Sequence, residues 1–198
     1  MKRKLPLTAL ITVFITFSTS AQFKAITSHL PVTNSVKGDI QKVVADFPYH
    51  FQNIRGEMLD KGPQSIEYAS TLKVGDLKQC SIMQYSSGTK YIYSWQAMML
   101  INEDFETAAK KYKSLYQQLK GSNVYYVKDQ YTLKGDYDAA DESKGFATST
   151  LALADPPAPL KKLRIDINLQ FEFPEWKVSL VVYEKEREDD EQGDVFGD

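Results

Sequence analysis

Residues 163–173 read LRIDINLQFEF. Leu163, Ile165, Ile167, Leu169, Phe171 and Phe173 alternate without a break with Arg164, Asp166, Asn168, Gln170 and Glu172. A side-chain period of two is that of a β-strand. A strand so patterned buries one face and leaves the other wet or occupied by a partner. Such a strand belongs in an antiparallel sheet covered on one side, and it therefore sets the fold class.

Working outward, residues 178–185 and 145–154 read as further strands, with DPPAP (155–159) as a loop because prolines cannot donate to a ladder. Residues 123–133 read as one more strand. Before it lies a helix running from Asn102, its cap, to Lys120-Gly121, with Phe105, Ala108, Ala109, Tyr112, Leu115, Tyr116 and Leu119 as its apolar stripe. Residues 77–85 and 90–101 flank SSGT and read as a hairpin, preceded by the alternating Ile66, Tyr68, Leu72 and Val74. An earlier helical pattern starts at Asn34, with Val36, Ile40, Val43, Val44, Phe47, Phe51 and Ile54 recurring at helical steps and Pro48 inside it as a kink or break.

The chain then repeats itself. A shift of 65 residues lays Ile40 on Phe105, Phe47 on Tyr112, Phe51 on Tyr116 and Gly56 on Gly121. STLKVGD (70–76) resembles YTLKGDYD (131–138), and KYIYSWQAMMLI (90–101) matches the pattern of KLRIDINLQFEF (162–173), with offsets that differ only by loop lengths. The expected fold is α+β: two tandem helix-plus-three-strand units, residues 34–101 and 102–188, with an extra C-terminal strand. The sheet is mainly antiparallel and both helices pack on one face. The layout resembles that of tandem-repeat exported modules such as the β-lactamase-inhibitor-protein-like folds. No motif carries this likeness, and it assigns no residue a role.

The first 21 residues have the form of a secretory signal: Lys2, Arg3 and Lys4, a short apolar run, then small residues before Gln22. The apolar run is shorter than the roughly 20 residues a membrane span needs. Residues 22–33 are expected to be a mobile lead-in and residues 189–198 a disordered acidic tail. The lone cysteine, Cys80, is far from the cleavage point, which excludes a lipoprotein, and alone it can form no internal disulfide. The expected product is an exported, soluble protein, periplasmic or secreted, with no transmembrane segment after cleavage. Cleavage removes three basic residues and no acidic one, taking the formal charge from −2 to −5. That balance argues against nucleic acid, which rewards a basic surface.

FPYHFQNIRG (47–56) holds His50, one of two histidines. The repeat register places His50 on Leu115, within an apolar stripe, so it is read as part of a packed helix face rather than a catalytic group. In the hairpin, closing Tyr85 opposite Lys90 puts Cys80 and Ile82 on the core side with Trp95. The other face then carries Leu77, Met83, Ile92, Met98 and Leu100. If helices cover one side only, these five form an apolar interaction patch, the binding site expected from sequence. A covering lead-in, or a hairpin register slipped by one residue, are the alternatives.

No Gly-rich phosphate loop and no nucleophile elbow occur. One cysteine and two separated histidines supply no metal-ligand spacing, and no cofactor is expected. The acidic loop GDYDAADES (135–143) lacks EF-hand spacing and reads as solvated. The functional expectation is an exported non-catalytic binding or protein-interaction module, engaging a protein partner or forming a homodimer through the uncovered sheet face. The alternatives are an exported hydrolase using a carboxylate pair, or a self-associating structural envelope protein.

Overall fold

The computed structural model describes residues 36–74, 79–87 and 90–185. The segment expected to be a secretory signal, the expected lead-in, Leu77 and the expected acidic tail lie outside the described residues. The chain forms α1 (Val36–Asp46), β1 (Arg55–Lys61), β2 (Ser65–Ser70), β3 (Cys80–Ser87), β4 (Lys90–Asn102), α2 (Phe105–Leu119), β5 (Asn123–Tyr126), β6 (Asp129–Lys134), β7 (Phe146–Leu153), β8 (Leu163–Glu172) and β9 (Glu175–Glu184). The nine described strands form one antiparallel sheet in the order β1-β2-β3-β4-β9-β8-β7-β6-β5. Each half therefore winds inward from an edge, and the halves meet along β4 and β9.

The α+β class and the antiparallel sheet are as expected, but the strand count is not. Among the described residues, four strands follow α1 and five follow α2. RGEMLDK forms the edge strand β1, whose burial hardly alternates because most of it faces solvent. Residues 123–133 do not form a single strand. They fold into the hairpin β5–β6, in which Val127 turns the chain with φ of 58°.

The buried sets explain why both helices lie on one face. Ile40, Val43 and Val44 of α1 and Ala108, Tyr112, Leu115, Tyr116 and Leu119 of α2 share a single cluster with alternate residues of the strands. Those strand residues include Ile82, Trp95, Ala97, Leu151, Ile165, Ile167, Leu180 and Val182, all at most 1% exposed. Asp104, rather than Asn102, caps α2: its carboxylate accepts from the Thr107 N–H at 2.7 Å, while Asn102 Oδ1 accepts from the Asp104 N–H. Gly121, with φ of 72°, lets the chain leave the helix.

The first helix is shorter than its apolar pattern suggested. α1 stops at Asp46, before two 3₁₀ turns, Phe47–Tyr49 and Gln52–Ile54, separated by His50 and Phe51 at φ of 54° and 58°. Pro48 has no N–H for a helical bond and disfavours the helical region for Phe47. Asp46 then organises the second of these turns. Its carboxylate accepts from the backbone N–H groups of Asn53 and Ile54 at 3.1 and 3.3 Å and from the Asn53 amide. His50 is thus on a left-handed turn rather than a helix face, and its alignment with Leu115 has no structural counterpart.

Two polar anchors hold elements far apart in sequence. Gln41 Nε2 donates to the Tyr125 carbonyl and Gln41 Oε1 accepts from the Tyr125 N–H, both at 2.8 Å, which fastens α1 to the edge strand β5. The Tyr112 hydroxyl meets Ser149 Oγ at 2.7 Å and donates to the Asp138 carbonyl, while Tyr116 donates to the Gly135 carbonyl. These bonds pin the 135–141 loop across α2.

Candidate functional site

The side of the sheet away from the helices is built by the residues that alternate with the core. Strand pairing sets their rows. Tyr85 lies opposite Ile92, and Met83 opposite Ser94, which neighbours Tyr183 and then Arg164. The next row runs Ser81, Gln96, Val181, Asp166, Thr150. The one after it runs Met98, Ser179, Asn168, Thr148. Most of these side chains are half-buried, and among the described residues their neighbours are those of the same pleated surface.

At one end the face dips into a groove of about 700 Å³ bordered by Tyr85, Ile92, Ser94, Asp166, Asn168, Val181 and Tyr183. Asp166 carries its most constrained charge. Burial pushes the Asp166 carboxyl above the ordinary aspartate value, although hydroxyls of Thr150 and Tyr183 and the charge of Arg164 favour its ionised form. Thr150 Oγ1 donates to Asp166 Oδ1 at 2.7 Å. The Tyr183 hydroxyl is pushed up to about 12, first by burial and then by the Asp166 charge beside it. One strand-step away, Thr148 Oγ1 donates to Asn168 Oδ1 at 2.9 Å.

Of the residues expected at the site, the structure gathers three. Met83, Ile92 and Met98 lie on the helix-free face, with Ile92 at the groove. Leu100 does not. A bulge between Met98 and Leu100 places Leu100 opposite the buried Val178, and it packs against the core. The β3–β4 hairpin closes Ser87 opposite Lys90, two residues from the expected pairing, and a shift of two preserves which face each side chain takes. Sequence reasoning did not select Asp166, Asn168, Val181 and Tyr183. Each bears the alternation signal, but only the β9–β8 pairing sets them beside β4.

A carboxylate pair fits this groove poorly. Glu184 also borders it. Glu184 pairs with the buried Leu163, however, so its side chain leaves the strand on the opposite side from Tyr183. There it lines a smaller cavity of about 180 Å³ with Phe47, His50 and Lys162. Among the described residues, no three His, Cys, Asp or Glu side chains gather as metal ligands would. In the 135–143 loop two of the acids make local hydrogen bonds: Asp138 accepts from the Thr148 N–H and Asp141 from the Ser143 N–H and hydroxyl.

His50 belongs to a second cluster, on the helix side. Its ring lies 5.1 Å from that of Tyr93, and the Arg55 guanidinium sits 4.8 Å from the Tyr68 ring and 5.3 Å from the Tyr93 ring. Arg55 Nη2 donates to the His50 carbonyl at 3.3 Å. This stack fixes the left-handed turn onto the sheet.

Comparison of the chain with protein-family models, with curated proteins and with solved structures finds no match. Among the described residues, no helix is long and apolar enough to cross a membrane.

Proposed function

We propose that this chain is an exported, non-catalytic binding module whose ligand surface is the helix-free face of the sheet. One observation carries this: a desolvated carboxylate, Asp166, stands opposite Val181 on a face it shares with Met83, Ile92 and Met98, and no described element packs over them. A carboxylate held partly out of water costs stability, and natural chains keep such groups chiefly where they are used. Placing Glu184 on the other side of β9 weighs against the hydrolase alternative. The inward winding of a helix-plus-strands unit from each edge supports an origin by duplication, with β9 as the added strand.

The experiment is a capture assay with residues 22–198 on envelope and secreted fractions. Wild type runs beside Met83→Glu/Met98→Glu, after circular dichroism shows that both fold. Leu100 stays unchanged because it packs inward. A protein held by wild type and released by the variant supports the proposal. Capture by both proteins places the surface elsewhere. Self-association abolished by the variant makes the occupant a second copy.

A further inference from the structure

Building on the helix-free face as the binding surface, we infer that its occupant is a neutral carbohydrate chain lying across β4, β9, β8 and β7. The chemistry of the rows selects this class. Between the ends of the face run short hydroxyl and amide side chains: Ser94, Gln96, Ser179, Asn168, Thr148 and Thr150. They can both donate and accept, and they are spaced at every second residue. A purely apolar ligand would strip water from the remaining donors and acceptors of this set without replacing it, a costly exchange.

Charge favours a neutral ligand. The charged groups here are mixed in sign: Arg164 acts on Asp166, Lys177 is ion-paired with Glu172, and Lys185 also borders the groove. An anionic ligand would meet Asp166 at the groove, and among the described residues of these rows Arg164 and Lys177 each already have an acidic neighbour. A neutral polyhydroxyl chain suits a face that carries charges of both signs. Its hydroxyls can donate to Asp166 and accept from the Asn168 amide, whose oxygen is already taken by Thr148.

The ends of the face complete the match. Phe146, 65% exposed, stands on β7 opposite Gln170, and Tyr85, 42% exposed, stands opposite Ile92 at the groove. Exposed aromatic rings bounding a polar strip offer flat apolar surfaces to the C–H faces of sugar rings. Phe146 and Asn168 also border a second hollow of about 490 Å³, so the polar strip continues from the groove toward that end.

The test uses residues 22–198 in affinity electrophoresis through gels containing neutral polysaccharides, together with a broad array of neutral oligosaccharides. Wild type is compared with Asn168→Ala and Phe146→Ala, both at exposed or half-exposed positions, with melting curves to show intact folds. Wild type is expected to be retained, and each variant to bind about tenfold more weakly, the effect of losing one well-made contact. Equal retention of all three proteins overturns the placement on this face. Retention only by anionic polysaccharides, lost with added salt, overturns the neutral class. No retention while the Met83/Met98-dependent protein capture persists overturns the carbohydrate and keeps the binding face. Absence of both overturns the two together.

Discussion

Gln41→Ala tests the link between the two halves most directly. Gln41 is 8% exposed and spends both ends of its amide on Tyr125, whose strand, β5, is the outermost of the sheet. Truncation removes two hydrogen bonds, each worth about 1 kcal/mol net. Water can partly replace the lost partners, because Tyr125 is half exposed. The expected destabilisation is therefore about 2 kcal/mol, or roughly 4–8 °C in Tm for a unit of this size. Urea unfolding should show a lower midpoint with an unchanged slope, and hydrogen exchange should show the Tyr125 amide losing protection ahead of the core. Gln41→Glu sharpens the test. An ionised carboxylate would still accept from the Tyr125 N–H but would face the Tyr125 carbonyl without a proton to offer. The Glu variant should match the Ala variant at neutral pH and recover on acidification. An Ala variant within about 0.5 kcal/mol of wild type, the range of ordinary surface changes, would refute the clamp. So would a Glu variant indifferent to pH.

Other outcomes rest on single contacts. A Cβ at Gly135 would sit 2.0 Å from the Thr150 carbonyl oxygen, so Gly135→Ala should cost more than about 3 kcal/mol or abolish folding, measured by denaturant melts. Ser70→Ala strips the fully buried Trp95 Nε1 of its 3.0 Å partner and should cost about 1–3 kcal/mol. Asp166 is held above its ordinary value, so its contribution to stability is present below about pH 3.9 and is lost as pH rises through its folded value. Asp166→Asn should therefore melt no lower than wild type at neutral pH, with the difference closing in acid. Tyr112 and Tyr183 are both pushed up to about 12, so above their ordinary values the folded state holds more protons than the unfolded. Their contribution should be full below pH 10 and lost between pH 10 and 12, with both tyrosines ionising late in an absorbance titration.

How much could be read beforehand depended on whether local pattern and tertiary pairing agreed. LRIDINLQFEF and the α2 stripe reveal their buried faces because a regular element shows its period directly. RGEMLDK hides as a strand because an edge strand facing water has no period to show. Residues 123–133 conceal a hairpin because Val127 occupies a left-handed turn position that glycine or asparagine would usually announce. The helical pattern runs past Asp46 because Phe47 and Phe51 still reach the core through 3₁₀ turns. For the site, Met83, Ile92 and Met98 can be placed by alternation alone. Leu100 is displaced by one bulge residue, which no residue type marks. The neighbourhood of Asp166, Tyr183 and Ser94 depends on β9 entering between β4 and β8, a pairing set by the whole sheet.

That entry has a consequence for how the molecule comes into being. β9, the last described strand to be synthesised, fills the middle of the sheet. Until it arrives, β4 and β8 each lack a neighbour, and the buried Val178, Leu180 and Val182 are missing from the core. β1–β4 and β5–β8 are runs of sequential neighbours, but the sheet becomes continuous only when β9 enters between them. Its closing contacts span long sequence distances, a topology that folds slowly. Slow closure around this late strand is compatible with the export proposed for the chain.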